Sequence, residues 1–218
     1  MSRSRTTNID CVALILTLFS VTITSCGSGP PAVRPPNIDA STAGQMAMEI
    51  YDSDGDGRVA GDELEQAPSL KAALSRLDTD GDKAVSADEL AARVESWQAT
   101  KAGLMSFSFT VTLDGSPLAG ATVTFEPEPF LGDDIKAATC ITSDYGGGGA
   151  AIPRELRPDP TSPPGMHLGL YQVKISKVVG GKQLIPRKYN EETILGQEVS
   201  YDVPEIAGNR VLYALTSK

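Results

Sequence analysis

Carboxylate side chains stand at alternate positions in two short stretches of the chain, a spacing that can surround a metal ion with oxygen atoms. Residues 51–64 read YDSDGDGRVAGDEL, and residues 77–90 read LDTDGDKAVSADEL. Like charges this close repel one another unless a cation lies between them. Ca²⁺ takes six to eight oxygen ligands. The two stretches therefore predict two calcium-binding loops.

The first stretch resembles an EF-hand loop, with the pattern D-x-[DN]-x-[DN]-G-x5-E, at every defined position. Gly57 stands where the loop turns sharply with a positive φ, and Ala60 stands at position 9, where a water completes the ligand set. The resemblance implies these ligands: Asp52, Asp54, Asp56, the backbone carbonyl of Arg58, and Glu63. The arginine side chain is free to vary in this scheme, since only its carbonyl is used.

The second stretch follows the same pattern with one departure, because Lys83 replaces the glycine. A non-glycine residue in the left-handed conformation costs about 1–2 kcal/mol. Ser86 with Glu89 forms a capping box for the helix that follows. The implied ligands are Asp78, Asp80, Asp82, the carbonyl of Ala84, Ser86 and Glu89. The alternative is a loop that folds beside its partner and binds no ion.

Helices must flank both loops if they are to bind calcium. Apolar residues recur at helical spacing before and after each loop, and Val59 stands where paired EF-hands form a two-residue β-bridge. Only residues 64–77 separate the loops, with Pro68 at the start of a second short helix. This short connection leaves little room for an opening motion, so the sequence favours a stabilising module over a switch.

The second half of the chain changes to the alternating period of β-strands. Short alternating runs with Gly and Pro turns predict a β-sandwich. The predicted strands are 105–113, 121–125, 137–143, 150–152, 171–175, 199–203 and 211–215. The predicted fold class is therefore α+β and multidomain, with a small helical pair at 39–99 followed by an all-β sandwich at 104–217.

Several sequence motifs in this half resemble those of the transthyretin-like (prealbumin-like), carboxypeptidase-regulatory-like domains of bacterial envelope lipoproteins. The matching runs, in chain order, are TVTLDGSPLAGATVTFEP at 110–127, SDYGG at 143–147, PPGMHLGLYQVKISK at 163–177 and IPRKYN at 185–190. The glycine run 146–149 and the insertion 158–164 depart from the family pattern. The resemblance implies an accessory binding or structural module without catalysis.

The N-terminal residues have the pattern of a secretion signal. Basic residues precede an apolar run at 11–24, which is shorter than the roughly 20 residues of a membrane-spanning helix and suits a secretory signal. The run ends in ITSCG, which resembles a lipobox whose cysteine, Cys26, is lipidated. The alternative is an ordinary signal that leaves Cys26 as a free thiol. We expect a signal peptide at 1–25, a Pro/Gly-rich tether at 26–38, and anchoring in the cell envelope, with the outer membrane favoured.

Charge and residue types argue against several functions. The formal net charge is −9, and residues 39–99 alone hold 14 acidic and 5 basic side chains, so nucleic acid is not an expected partner. His167 is the single histidine and is expected at the surface or at a strand edge. No GK[ST] follows the glycine run, so no phosphate loop is predicted. A carboxylate pair for glycoside hydrolysis depends on proximity that a sequence does not give.

The sequence therefore predicts a non-catalytic, lipid-anchored, calcium-binding envelope protein with a structural or adhesion role. The alternative is an accessory protein that recognises a polysaccharide or an envelope protein complex through the loops of the sandwich. Both readings leave the protein or glycan partner unidentified.

Overall fold

The computed structural model describes residues 33–218. The predicted signal peptide, Cys26 and the first part of the tether lie outside the described residues. Within 33–218, no helix combines the length and the apolar character needed to cross a membrane.

Four α-helices and two short strands lie within residues 40–99, and a fifth α-helix lies later in the described chain. Their bounds are α1 (Ala40–Tyr51), β1 (Arg58–Val59), α2 (Gly61–Gln66), α3 (Pro68–Leu77), β2 (Val85–Ser86), α4 (Ala87–Ala99) and, later in the chain, α5 (Pro204–Ala207). We call residues 40–99 the helical part. Its two acidic stretches connect α1 to α2 and α3 to α4.

Local chemistry sets the starts of these helices. The Asp39 side chain accepts a hydrogen bond from the backbone N–H of Thr42 at 2.8 Å and so caps α1. Pro68 is the first residue of α3, where its missing N–H costs nothing. Ser86 and Glu89 form the predicted capping box at the start of α4. α1 and α4 then pack face to face around Ala47 and Leu90, both fully buried.

The remaining strands form two sheets and one hairpin, which together we call the β part (residues 105–215). Their bounds are β3 (Phe109–Leu113), β4 (Ser116–Pro117), β5 (Thr122–Pro127), β6 (Ala138–Ile141), β7 (Gly147–Gly148), β8 (Gly169–Ser176), β9 (Val178–Val179), β10 (Lys182–Gln183), β11 (Gly196–Val199) and β12 (Val211–Leu215). One sheet has the order β11-β8-β5-β6, and the other has the order β12-β3-β4 with β7 also paired to β3. β9 and β10 form a separate hairpin.

Alternation of apolar residues positions the core between the two sheets. Phe109 and Phe125 face each other with ring centroids 5.5 Å apart, and Tyr171 and Tyr213 add edge-on contacts to Phe125. All four are buried. The pairing of β12 with β3 is parallel, whereas every other strand pair in the β part is antiparallel. The described structure is thus of the α+β class.

Two predicted strands differ from the observed elements. The run predicted as a strand at 199–203 is the end of β11 and a turn, followed by α5. Pro204 begins that helix, and a proline has no N–H to continue a ladder. Residues 150–152 make only an isolated bridge, between Ala151 and Thr139.

The helical part and the β part pack directly against each other. α3 lies along β11, and the contact is so close that a Cβ added at Gly196 would meet the carbonyl oxygen of Pro68 at 1.9 Å. Ile38 is buried, and the Gln98 side chain donates to its carbonyl oxygen at 2.6 Å. Residues 33–218 accordingly belong to one compact unit.

The close approach at Gly196 gives a stability prediction. Gly196→Ala places a methyl group against the backbone of α3, and overpacking of this kind costs about 1–3 kcal/mol. Gly149→Ala is the matched control, because the nearest atom to its added Cβ is the Phe107 carbonyl oxygen at 3.4 Å. Urea denaturation should show a lower midpoint for the first variant only. Equal midpoints would contradict the packing described here.

Candidate metal centre

The first acidic loop is organised around Asp52, which directly follows α1. Its two carboxylate oxygens accept backbone N–H groups from Gly55 at 2.7 Å and Gly57 at 2.8 Å. Gly57 has φ +87°, in the left-handed region that favours glycine. The loop backbone therefore wraps around one carboxylate and turns at the position that the sequence pattern predicts.

Glu63 closes the first loop from the opposite end. One oxygen accepts the Ser53 N–H at 2.7 Å, and the other accepts the Ala60 N–H at 3.0 Å. The hydrogen bonds from Ala60 and then Ser53 lower the pKa of the Glu63 carboxyl. Glu63 is therefore held as a carboxylate over the start of the loop.

The second loop repeats this arrangement with its own residues. Asp78 accepts backbone N–H groups from Gly81 at 2.6 Å and Lys83 at 3.0 Å. Glu89 accepts the N–H of Thr79 at 2.8 Å and of Ser86 at 2.9 Å. Partial burial raises the pKa of the Glu89 carboxyl, but these hydrogen bonds outweigh it and the net pKa is lowered.

A short antiparallel bridge holds the loops side by side. Val59 of β1 pairs with Val85 of β2, and both side chains are fully buried. The same bridge places Arg58 next to the second loop, where its guanidinium forms an ion pair with Asp82. The sequence pattern assigned only the carbonyl of Arg58 and missed this ion pair, because nothing in the sequence gives the direction of its side chain.

The structure gathers part of each predicted ligand set. In the first loop the carboxylates of Asp52, Asp54 and Glu63 offer oxygens that lie within 4.8 Å of one another. In the second loop the corresponding group is Asp78, Asp80 and Asp82.

The other predicted ligands have different partners. Asp56 accepts the Arg58 N–H at 2.9 Å. The hydroxyl of Ser86 lies 2.9 Å from Glu89, and Glu89 stands outside the second group. Ala84 is buried, and its N–H donates to Asp82 at 2.9 Å.

The chemistry and spacing of these donors fit a hard divalent cation. Oxygens bound to one Ca²⁺ at 2.3–2.6 Å lie no more than about 5 Å apart. The two gathered groups satisfy that limit and contain only carboxylate oxygens. Zinc sites are usually built from cysteine and histidine, and neither gathered group contains one. Carboxylate-only donor sets of this kind suit hard divalent cations, among them Ca²⁺.

Lys83 adopts the strained conformation that its place in the pattern predicts. Its φ is 67°, and its N–H is used by Asp78. The left-handed conformation costs a side chain with a Cβ about 1–2 kcal/mol. The second loop thus keeps the shape of the first at the expense of local strain.

His167 is buried, and the expectation of a surface or edge position was wrong. Only 1% of the residue is exposed, and its Nδ1 accepts the Lys136 N–H at 3.4 Å. Burial lowers the pKa of this imidazole to about 4. The cause is tertiary packing under residues 133–136, which local apolar neighbours in the sequence do not reveal.

No family model, curated protein or solved structure matches the chain. The geometry of the two loops is therefore the basis for a function.

The strain at Lys83 gives a prediction that separates shape from charge. Lys83→Gly and Lys83→Ala both remove the ammonium group, but only glycine relieves the left-handed strain. We expect the glycine variant to be more stable than the alanine variant by about 1 kcal/mol, measured by urea denaturation. An alanine variant that equals or exceeds the glycine variant would contradict the strain.

Proposed function

We propose that this protein binds Ca²⁺ through a pair of EF-hand loops and serves as a lipid-anchored structural protein of the cell envelope. The supporting observation is the repeated hydrogen-bonded cage of the two loops, joined by the bridge between Val59 and Val85. In this proposal one ion is bound by Asp52, Asp54, Asp56, the carbonyl of Arg58, and Glu63. The other ion is bound by Asp78, Asp80, Asp82, the carbonyl of Ala84, Ser86 and Glu89.

A structural role is favoured over a switch by the connection between the loops. Ala67 is the single residue between the end of α2 and the start of α3, so almost no linker separates the two helices. α3 is in turn packed against β11. EF-hand sensors open by changing the angle between their helices, and packed helices of this kind resist that change. Bound calcium would instead neutralise the loops and rigidify the helical part.

The β part is proposed to be a transthyretin-like sandwich that the helical part supports. Its two packed layers and buried aromatic core are consistent with that resemblance. No catalytic step is assigned to it, and a structural or adhesion role follows from the envelope anchor and the calcium sites together.

Calcium titration tests the first element of the proposal. We expect the full chain to bind two Ca²⁺ ions, with Kd values of the order of 10⁻⁴–10⁻³ M that are typical of extracellular modules. Asp52→Ala should abolish one site and Asp78→Ala the other, measured by isothermal calorimetry. Each substitution removes a carboxylate around which its loop is organised.

The matched control for this titration is Asp62→Asn. Asp62 is an exposed carboxylate of the same acidic segment that belongs to neither gathered group. The Asp62→Asn variant should still bind two Ca²⁺ ions per chain. No calcium heat for the wild-type chain, or an equal loss in the Asp62→Asn variant, would contradict site-specific binding.

The lipid anchor is tested separately through its cysteine. In a bacterial host, Cys26→Ser should move the chain out of the membrane fraction, because acyl chains hold a lipoprotein on the bilayer. Cys140→Ser is the control, since this half-buried thiol lies in β6. Membrane association that survives Cys26→Ser would argue for an ordinary secretory signal and a different mode of attachment.

A further inference from the structure

A buried carboxylate of the β part joins the two helices that flank the second loop. Glu198 lies on β11 and is fully buried. It accepts a hydrogen bond from Arg76 of α3, and from Arg93 and Trp97 of α4 at 2.6 and 3.0 Å. One side chain therefore binds both the helix that enters the loop and the helix that leaves it.

We call the contacts of Glu198 with Arg76, Arg93 and Trp97 the junction. Because Glu198 is buried, it depends on these particular partners. An ionised carboxylate in the interior requires charged or hydrogen-bonding partners, and removal of one partner is strongly destabilising. Arg76 lies in the last turn of α3, two residues before Asp78. Arg93 is further fixed by two bonds of 2.8 Å to Asp202. Glu198 thus holds α3 and α4 together from outside the loop.

A second buried carboxylate of the β part bonds to the helix that enters the first loop. Glu128 is 1% exposed and accepts hydrogen bonds from the Tyr51 hydroxyl at 2.7 Å and the Ser69 hydroxyl at 2.6 Å. Tyr51 is the last residue of α1 and precedes Asp52 directly. Ser69 lies in the first turn of α3. Burial raises the pKa of the Glu128 carboxyl, and its partners here are uncharged.

We infer that Glu198 and Glu128 are positioning residues for the cation loops, so that the β part helps to set how tightly each loop binds Ca²⁺. This inference rests on the proposed function. Neither carboxylate lies in a loop, and each acts through the helix that enters a loop: Glu198 through Arg76 of α3, and Glu128 through Tyr51 of α1. Groups that orient metal ligands from outside the ligand set typically change affinity by 10–100-fold when mutated. By linkage, an ion bound in a loop should in turn strengthen the contact with the β part.

Glu198→Gln in the full chain provides the test. In an Asp52→Ala background, which leaves only the second loop, we expect the Kd for Ca²⁺ to rise about tenfold or more. In an Asp78→Ala background, which leaves only the first loop, the Kd should be unchanged. A general loss of stability would weaken both loops, so the difference between the two backgrounds identifies a positioning role.

Two further substitutions complete the design. Glu205→Gln is the control, because it removes an exposed carboxylate of α5 near the same surface and should leave both Kd values unchanged. Arg76→Met removes one of the three donors to Glu198 and keeps the apolar stem of the side chain. Arg76→Met is the milder substitution if the glutamine variant fails to fold. It should weaken Ca²⁺ binding by the second loop alone.

Trp97 reports whether the junction has been disturbed, since it is the single tryptophan of the chain and bonds to Glu198. A shifted Trp97 emission with an unchanged second-loop Kd, in either Glu198→Gln or Arg76→Met, would overturn the inference and leave the proposed function standing. A wild-type chain that binds no Ca²⁺ would overturn the proposed function and this inference with it.

Discussion

The burial of charge at Glu198 is the constraint on which the arrangement of helices and sheets depends. A carboxylate without water has to be surrounded by donors, and here all of them come from α3 and α4. β11 and these helices must therefore stay in register with one another. The close contact at Gly196 is a further sign of this packing, because only a residue without a side chain lets α3 approach the strand so closely.

The acidic loops show how the chain tolerates crowded carboxylates. Most of their oxygens accept backbone N–H groups of the same loop, which bring partial positive charge to each of them. The Arg58 guanidinium adds a full positive charge beside Asp82. The two loops are therefore linked by an ion pair as well as by a β-bridge.

The parts of the structure that sequence reasoning predicted are those with local causes. The positive φ of Gly57 and Lys83, the start of α3 at Pro68 and the Ser86 capping box all follow from residues a few positions apart. The bridge between Val59 and Val85 follows from their shared place in the two repeated loops. The burial of Glu128, Glu198 and His167 was not predicted, because it depends on segments distant in the chain. The strand predicted at 199–203 was misplaced for a related reason, since apolar alternation does not reveal that the chain turns before Pro204.

The parallel pairing of β12 with β3 has a consequence for how the chain matures. Phe109 is matched with Val211 and Leu113 with Leu215, so the opening strand of one sheet is completed by residues about a hundred positions later. Contacts this remote slow folding, because a long loop must close before they form. As the polypeptide is synthesised from its N-terminus, one edge of β3 stays unpaired until the C-terminal residues are made. The helical part, whose internal contacts all lie within residues 40–99, is free to assemble ahead of that final step.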